Sequence, residues 1–317
     1  MPSSTSSSER QPAGWPSLRR ASVALLAGVL LLLVGVEVGT RAFIYDLSNL
    51  LGRIRRESLA ASRLQAAEAG PRPILIVGNS LLVAGVDIAA LQGALGPGQR
   101  ISRFAIEQTV YHDWYFGFRR LMGEGSRPST VVVALEARHL LGESVRDEIF
   151  AHYLMQLRDI FSVARAVDLS PTATSELFFA NISDFGGLRK EIRKNLLGRL
   201  MPALPSLTAL MTRGIPAPPP DPAALATVGA ERLKAFKSVG DIHGVGFALA
   251  LMPPLTPANA ELMRQIGEDN RVIVLTPLTD LDVRDGDYDL DGYHLSEQGR
   301  AKYTTALGDE LRRVLPR

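Results

Sequence analysis

The sequence contains no cysteine. That absence excludes disulfide bridges, thiolate metal sites, a cysteine nucleophile and a lipid-modified cysteine anchor, and it leaves the compartment open. An excess of one charge is missing as well: 35 Lys and Arg against 33 Asp and Glu leave a formal +2. The arginines are scattered, so no overall field argues for a nucleic-acid partner. His112, His152 and His243 stand at no metal-ligand spacing, and no metal or cofactor is expected. There is no internal repeat. Aromatic residues are 6% of the chain, and Trp114 and Tyr115 read as core rather than as a carbohydrate platform. The chain does have 317 residues, 46% of them hydrophobic. That is enough for one large α/β domain or two small ones.

There is a single long apolar run. Residues 1–17 are rich in Ser and Pro without apolar periodicity, which predicts a disordered, cytoplasmic tail over residues 1–20. Arg19 and Arg20 then precede an uncharged stretch from Ala21 to Val36, which Val38 and Gly39 extend if Glu37 sits at the interface. The expectation is a transmembrane anchor at 21–39. A removed signal peptide competes, but no Ala-x-Ala site is evident. Arg10, Arg19 and Arg20 predict a single-pass protein of the inner or plasma membrane, with a cytoplasmic N-terminus and a periplasmic domain. Residues 40–70 form a juxtamembrane helix or linker, with Leu47, Leu50, Leu51, Ile54 and Leu59 on a stripe beside Arg53, Arg55 and Arg56. Two readings stand for it: a helix lying on anionic lipid, or a stalk packed on the domain.

Beyond residue 70, five short apolar runs read as parallel strands: Ile74–Val77, Ile101–Ala105, Thr130–Leu135, Val245–Leu251 and Val272–Thr276. Runs without alternation fit strands covered on both faces. Helical patterns at Ile88–Leu95, Asp113–Met122 and Asn259–Ile266 separate most of them. The fold class expected is α/β, a five-stranded parallel doubly wound sheet. Ser296 is a plausible N-cap for a last helix docking through Tyr303, Leu307, Leu311 and Val314. Residues 140–242 are too long for one crossover. Helical patterns at Ser144–Phe161 and Leu188–Leu200, then a proline-rich break at Ile215–Pro222, predict a helical insertion over the catalytic face.

Two stretches carry chemistry. Ile74-Leu-Ile-Val-Gly-Asn-Ser80 runs a strand into a tight turn that would expose a serine. Asp289-Leu-Asp291-Gly-Tyr-His294 sets a carboxylate three residues before a histidine. Serine is a poor nucleophile until a base takes its proton. Imidazole is suited to that work near neutral pH, and a carboxylate on its second nitrogen fixes the tautomer. Both stretches fall beyond the carboxyl ends of strands, where doubly wound sheets place their sites. Asp287, Asp289, Asp291 and Gly292 also imitate the first half of a calcium loop, but Gln298 stands where a bidentate glutamate is required.

Gly78-Asn79-Ser80 after the first strand and Asp291-Gly-Tyr-His294 after the last, in that order, resemble the SGNH (GDSL-like) hydrolase superfamily over about residues 71–317. The resemblance implies a flavodoxin-like/SGNH domain with Ser80 as nucleophile, His294 as base and Asp291 orienting it. It also implies an oxyanion hole, which the family completes with a glycine after the second strand and an asparagine after the third. Here neither block is present. The candidates are Gly78 and Asn79, the backbone N–H of Gln108 or Thr109, and Arg138 or His139. These departures look more like the membrane-anchored extracytoplasmic members tied to O-acyl transfer. The expectation is an esterase or O-acyltransferase acting on acyl esters of an extracytoplasmic polymer, with a polysaccharide substrate and an acyl-donating membrane partner. The alternative is a non-catalytic assembly or binding protein for cell-surface polysaccharide.

Overall fold

A computed structural model describes residues 16–66, 70–201 and 218–315. The first fifteen residues of the expected tail, and residues 215–217 of the proline-rich break, lie outside the described residues.

Five strands, β1 (Arg72–Gly78), β2 (Gln99–Ala105), β3 (Thr130–Leu135), β4 (Gly246–Leu251) and β5 (Ile273–Leu275), form one sheet in the order β2-β1-β3-β4-β5, all parallel. This is the doubly wound order expected, and its strand sequence reverses between β1 and β3. Alternate side chains feed two cores. Leu75, Val77, Val131, Val133, Phe247 and Leu249 pack on one face. Ile74, Ile76, Val132, Ala134, Ala248 and Ala250 pack on the other. Burial on both faces is why the strands read as continuous apolar runs.

The helices follow from local signals. The first, α1 (Pro16–Leu47), runs unbroken through the predicted tail end, anchor and start of the linker, so the boundaries expected at 20 and 39 are not breaks in the backbone. Residues 19–35 are exposed along it, and Val36 is where it begins to be covered by the domain. Ser48 caps α2 (Asn49–Ser62). Leu51 and Ile54 of α2 are fully buried. Arg53 donates to the Ala105 carbonyl at 2.9 Å and pairs with Glu107, while Glu57 accepts from Ala105 N at 2.9 Å and from Arg103 Nε at 2.9 Å. These charged side chains cover the end of an edge strand that would otherwise offer free backbone groups. The stalk reading therefore fits α2, and the reading of Arg53 as a lipid contact does not.

The domain continues through α3 (Ser80–Gly85), α4 (Ile88–Leu95) and α5 (Tyr111–Gly123). Then come α6 (Ala137–Leu140), α7 (Asp147–Tyr153), α8 (Ile160–Ala166), α9 (Pro171–Ile182) and α10 (Asp184–Leu200). The last three are α11 (Ala230–His243), α12 (Pro257–Asn270) and α13 (Glu297–Val314). The single helix expected at Ser144–Phe161 is broken after Tyr153. Asn181 Nδ2 takes the carbonyls of Ala151 and Met155 at 2.7 and 2.8 Å, and Arg120 Nη1 takes that of His152 at 2.7 Å. Carbonyls satisfied from outside no longer need a further helical turn. Ser296 caps α13 as expected, and the Tyr303 hydroxyl donates to the Leu251 carbonyl at 3.0 Å. Val314 does not dock; it is 38% exposed, at the frayed end of the helix.

Gly78 ends β1 where β3 passes closest. A Cβ there would sit 2.3 Å from the Ala134 carbonyl oxygen, a backbone atom that cannot rotate away. Gly78→Ala should therefore destabilise the fold by about 3 kcal/mol. Gly93→Ala, in α4 where nothing lies within 4 Å, should be neutral or stabilising by up to ~1 kcal/mol. Thermal melts of the two variants check the contrast, and equal melting temperatures would contradict the packing argument.

Candidate active site

Three strand ends converge at the reversal in strand order. β1 runs into Asn79, which has extended backbone angles and caps α3 through Leu81 N→Oδ1 at 3.0 Å. The cap makes Ser80 the first residue of a helix and turns it out of the sheet. Asn79 is itself buried. Its Nδ2 donates to the Thr109 carbonyl at 3.0 Å and meets His139 Nδ1 at 3.0 Å. One amide thus joins the loops that follow β1, β2 and β3.

On the far side, the loop before α13 brings His294 to Ser80. Nε2 lies 2.9 Å from Ser80 Oγ, and Nδ1 lies 2.6 Å from Asp291 Oδ2. The other Asp291 oxygen accepts the backbone N–H groups of Tyr293 and His294 at 2.9 and 3.0 Å. This local turn, with Gly292 at φ +70, fixes the carboxylate before it meets the ring. Burial pushes the Asp291 carboxyl up, but the hydrogen bonds from the His294 ring and the two backbone amides outweigh it and hold it below the ordinary carboxylate range. With Asp291 ionised and accepting from Nδ1–H, the free Nε2 faces the hydroxyl as an acceptor. A serine, an imidazole and a carboxylate so arranged can move a proton off Oγ.

A second chain of polar groups lies behind Ser80. The Tyr293 hydroxyl donates to Glu136 Oε2 at 2.7 Å and sits 3.3 Å from His139 Nε2. Arg138 pairs with Glu136 at 3.0 Å and lies over the Tyr293 ring. Burial, then the neighbouring Arg138 guanidinium, hold His139 down to about 4. The ring is therefore neutral at neutral pH. The network assigns its proton to Nε2, with Nδ1 accepting from Asn79. Burial raises Glu136, against the opposing hydrogen bond from Tyr293 and the charge of Arg138.

The candidate oxyanion groups differ in what they are already bonded to. The side chains of Asn79 and Arg138 are committed to the partners just named, and His139 is held between Asn79 and Tyr293. The Thr109 side chain is fully buried, donating to the Ile106 carbonyl at 2.6 Å and accepting from Trp114 Nε1 at 2.8 Å. Gly78 contributes its lack of a side chain. Gln108 is different: its backbone is left-handed at φ +63, a conformation in which glycine is usual. It lies in the stretch after β2, which contains no glycine. Among the described residues, the N–H groups of Ser80, Gln108 and Thr109 have no hydrogen-bond partner. They remain the donors available for a developing oxyanion.

The Asp-rich segment divides its carboxylates. Asp291 serves His294, whereas Asp287 turns inward to Lys302 Nζ at 2.6 Å and accepts from Arg284 N at 2.9 Å. Among the described residues no group of three or more metal-ligating side chains forms. Tyr293 and Glu136 are not among the candidates that sequence pattern singles out. Their positions, at the carboxyl end of β3 and inside the Asp-x-x-His block, were the available signal.

No protein-family model matches the sequence, and no curated protein matches it. Five solved chains match by structure. One is TesA, with 12% identity and a TM-score of 0.40 over 77% of this chain and 100% of that one. Another is a Streptococcus pneumonia chain provisionally described as a platelet activating factor, with 12% identity and a TM-score of 0.36 over 90% of this chain and 98% of that one.

The neutral His139 has a consequence for stability. Its folded pKa, about 4, lies below the ordinary 6.5. Between those values the unfolded chain binds a proton that the folded chain refuses, so stability falls as pH drops through the window. His139→Gln should flatten the loss of melting temperature between pH 6.5 and 4 relative to the parent. An unchanged slope would contradict the neutral ring.

Proposed function

We propose that this chain is a membrane-anchored serine esterase or O-acyltransferase of the SGNH type, acting on acyl esters of a polymer outside the cytoplasm. The observation that carries the reading is the continuous pair of contacts from Ser80 Oγ to His294 Nε2, 2.9 Å, and from His294 Nδ1 to Asp291 Oδ2, 2.6 Å. In the proposed cycle Ser80 Oγ attacks the acyl carbonyl carbon as its proton passes to Nε2. The carbonyl oxygen becomes an oxyanion, facing the N–H groups of Ser80 and Gln108. Collapse breaks the ester C–O bond, and the imidazolium returns its proton to the departing alcohol. A water, or a hydroxyl of the acceptor, repeats the attack on the acyl-serine with His294 again as base, and Ser80 is freed.

The membrane part of the reading rests on α1, whose apolar residues stand clear of the domain. The helix continues past the apolar run into contacts with α10, which supports a retained anchor over a removed signal. An anchor of this kind places the domain beside membrane-borne acyl donors. Acyl transfer between such a donor and a surface polysaccharide fits both the anchor and the partly exposed Ser80.

Hydrolysis of a small activated ester separates this reading from a non-catalytic one. Ser80→Ala and His294→Ala should each abolish nearly all turnover, and the double variant should lose little more, since such groups act as a unit. Asp291→Asn should cost roughly 10⁴ in rate through the wrong tautomer while leaving the thermal melt intact. Full activity in Ser80→Ala would remove the nucleophile from the proposal.

A further inference from the structure

The insertion carries an apolar surface whose position suggests what covers it. At the junction of α9 and α10, Phe178, Phe179, Ile182 and Phe185 point outward, with Phe179 61% exposed. An exposed cluster of this kind usually marks a docking surface. The same junction is bonded to α1. Glu37 accepts the Ser183 hydroxyl at 2.7 Å and the N–H groups of Asp184 and Phe185 at 2.9 and 3.2 Å. Its carboxylate occupies the first turn of α10, where unpaired N–H groups favour an anion. Arg41 and Tyr45, one and two turns further along α1, reach Asp184 as well.

Glu37 also lies at the end of the free apolar helix. From Ala21 to Val36 is 16 residues, or roughly 24 Å at 1.5 Å per residue, most of the thickness of a bilayer core. Glu37 therefore marks the depth at which α1 leaves the hydrocarbon. A group bonded to it sits at that depth too. We infer that the Phe178, Phe179, Ile182 and Phe185 surface inserts into the headgroup–acyl boundary of the leaflet from which α1 emerges. Apolar side chains on short helices bury to about 5–10 Å in that zone. The inference rests on the anchor reading of α1. Its consequence is a domain held to the membrane at two points, which fixes the height and tilt at which Ser80 meets substrate.

The absence of cysteine makes the test direct, because a single introduced thiol is the only label site. Full-length Phe179→Cys, Leu31→Cys and Leu290→Cys, each carrying an environment-sensitive nitrobenzoxadiazole dye, would be reconstituted in phosphatidylethanolamine/phosphatidylglycerol vesicles. Leu290 is 91% exposed, in the loop that also carries Asp291. The expected result is blue-shifted emission at position 179, quenched by lipids with a nitroxide near the headgroup and protected from aqueous iodide. Position 31 should be quenched by mid-chain nitroxides, and position 290 by iodide alone. Iodide quenching at 179 equal to that at 290, with 31 still in lipid, overturns the inference and leaves the anchor standing. Protection at 179 from both quenchers would mean protein covers the patch, and also overturns it. Iodide access at 31 would overturn the anchor reading, and the inference with it.

Discussion

The buried amide of Asn79 ties together the ends of three adjacent strands. Its oxygen caps α3 and aims Ser80; its nitrogen holds the loop after β2 through the Thr109 carbonyl and the loop after β3 through His139. Buried polar groups are costly unless every bond is made, and here each partner answers another. His139 can accept from Asn79 only in its neutral Nε2–H form. That form needs an acceptor in Tyr293, whose own proton goes to Glu136. Tyr293 is in turn the residue before His294. The serine side and the histidine side of the site are thus held in register by one satisfied chain of hydrogen bonds behind them, in addition to the direct contact in front.

Much of this was legible before the structure. Valine- and isoleucine-rich runs between helical patterns mark strands buried on both faces, and each of the five predicted runs became one. Ser80, His294 and Asp291 stood out because serine, imidazole and carboxylate at strand ends have few other joint uses. What was not legible depended on partners distant in the sequence. Glu136 and Tyr293 meet only when β3 and the last loop are neighbours. The break after Tyr153 is decided by Asn181 and Arg120, which take carbonyls that a helix would have used. Gln108 adopts a left-handed backbone at φ +63 that sequence rules favour for glycine, so this turn is not legible from residue type. The helix α9 is not legible because polar Thr172, Thr174, Ser175 and Glu176 precede apolar Leu177, Phe178 and Phe179 instead of alternating with them at a helical period.

The N-terminal helices have a structural role besides any membrane one. α2 closes the open edge of the sheet at β2 with Arg53 and Glu57. The strand end it grips leads directly into the Gln108 turn. α1 reaches the insertion through Glu37, beside α7 and α10, which with Glu107 and Gln108 border a cavity of about 640 Å³. α1, the edge strand, the insertion and the Gln108 turn are therefore linked through packed contacts. The helices packed around the site thus add to the constraint that the Asn79 amide supplies inside it.

The central claim is that Ser80 is an activated nucleophile, and reaction with a fluorophosphonate probe tests it most directly. The folded full-length chain should take up one equivalent of phosphonyl group, and peptide mass analysis should place it on Ser80. Denaturation or His294→Ala should each abolish the reaction, because an ordinary serine hydroxyl does not react. No labelling of the folded chain, labelling at another residue, or labelling that survives loss of His294 would contradict the account.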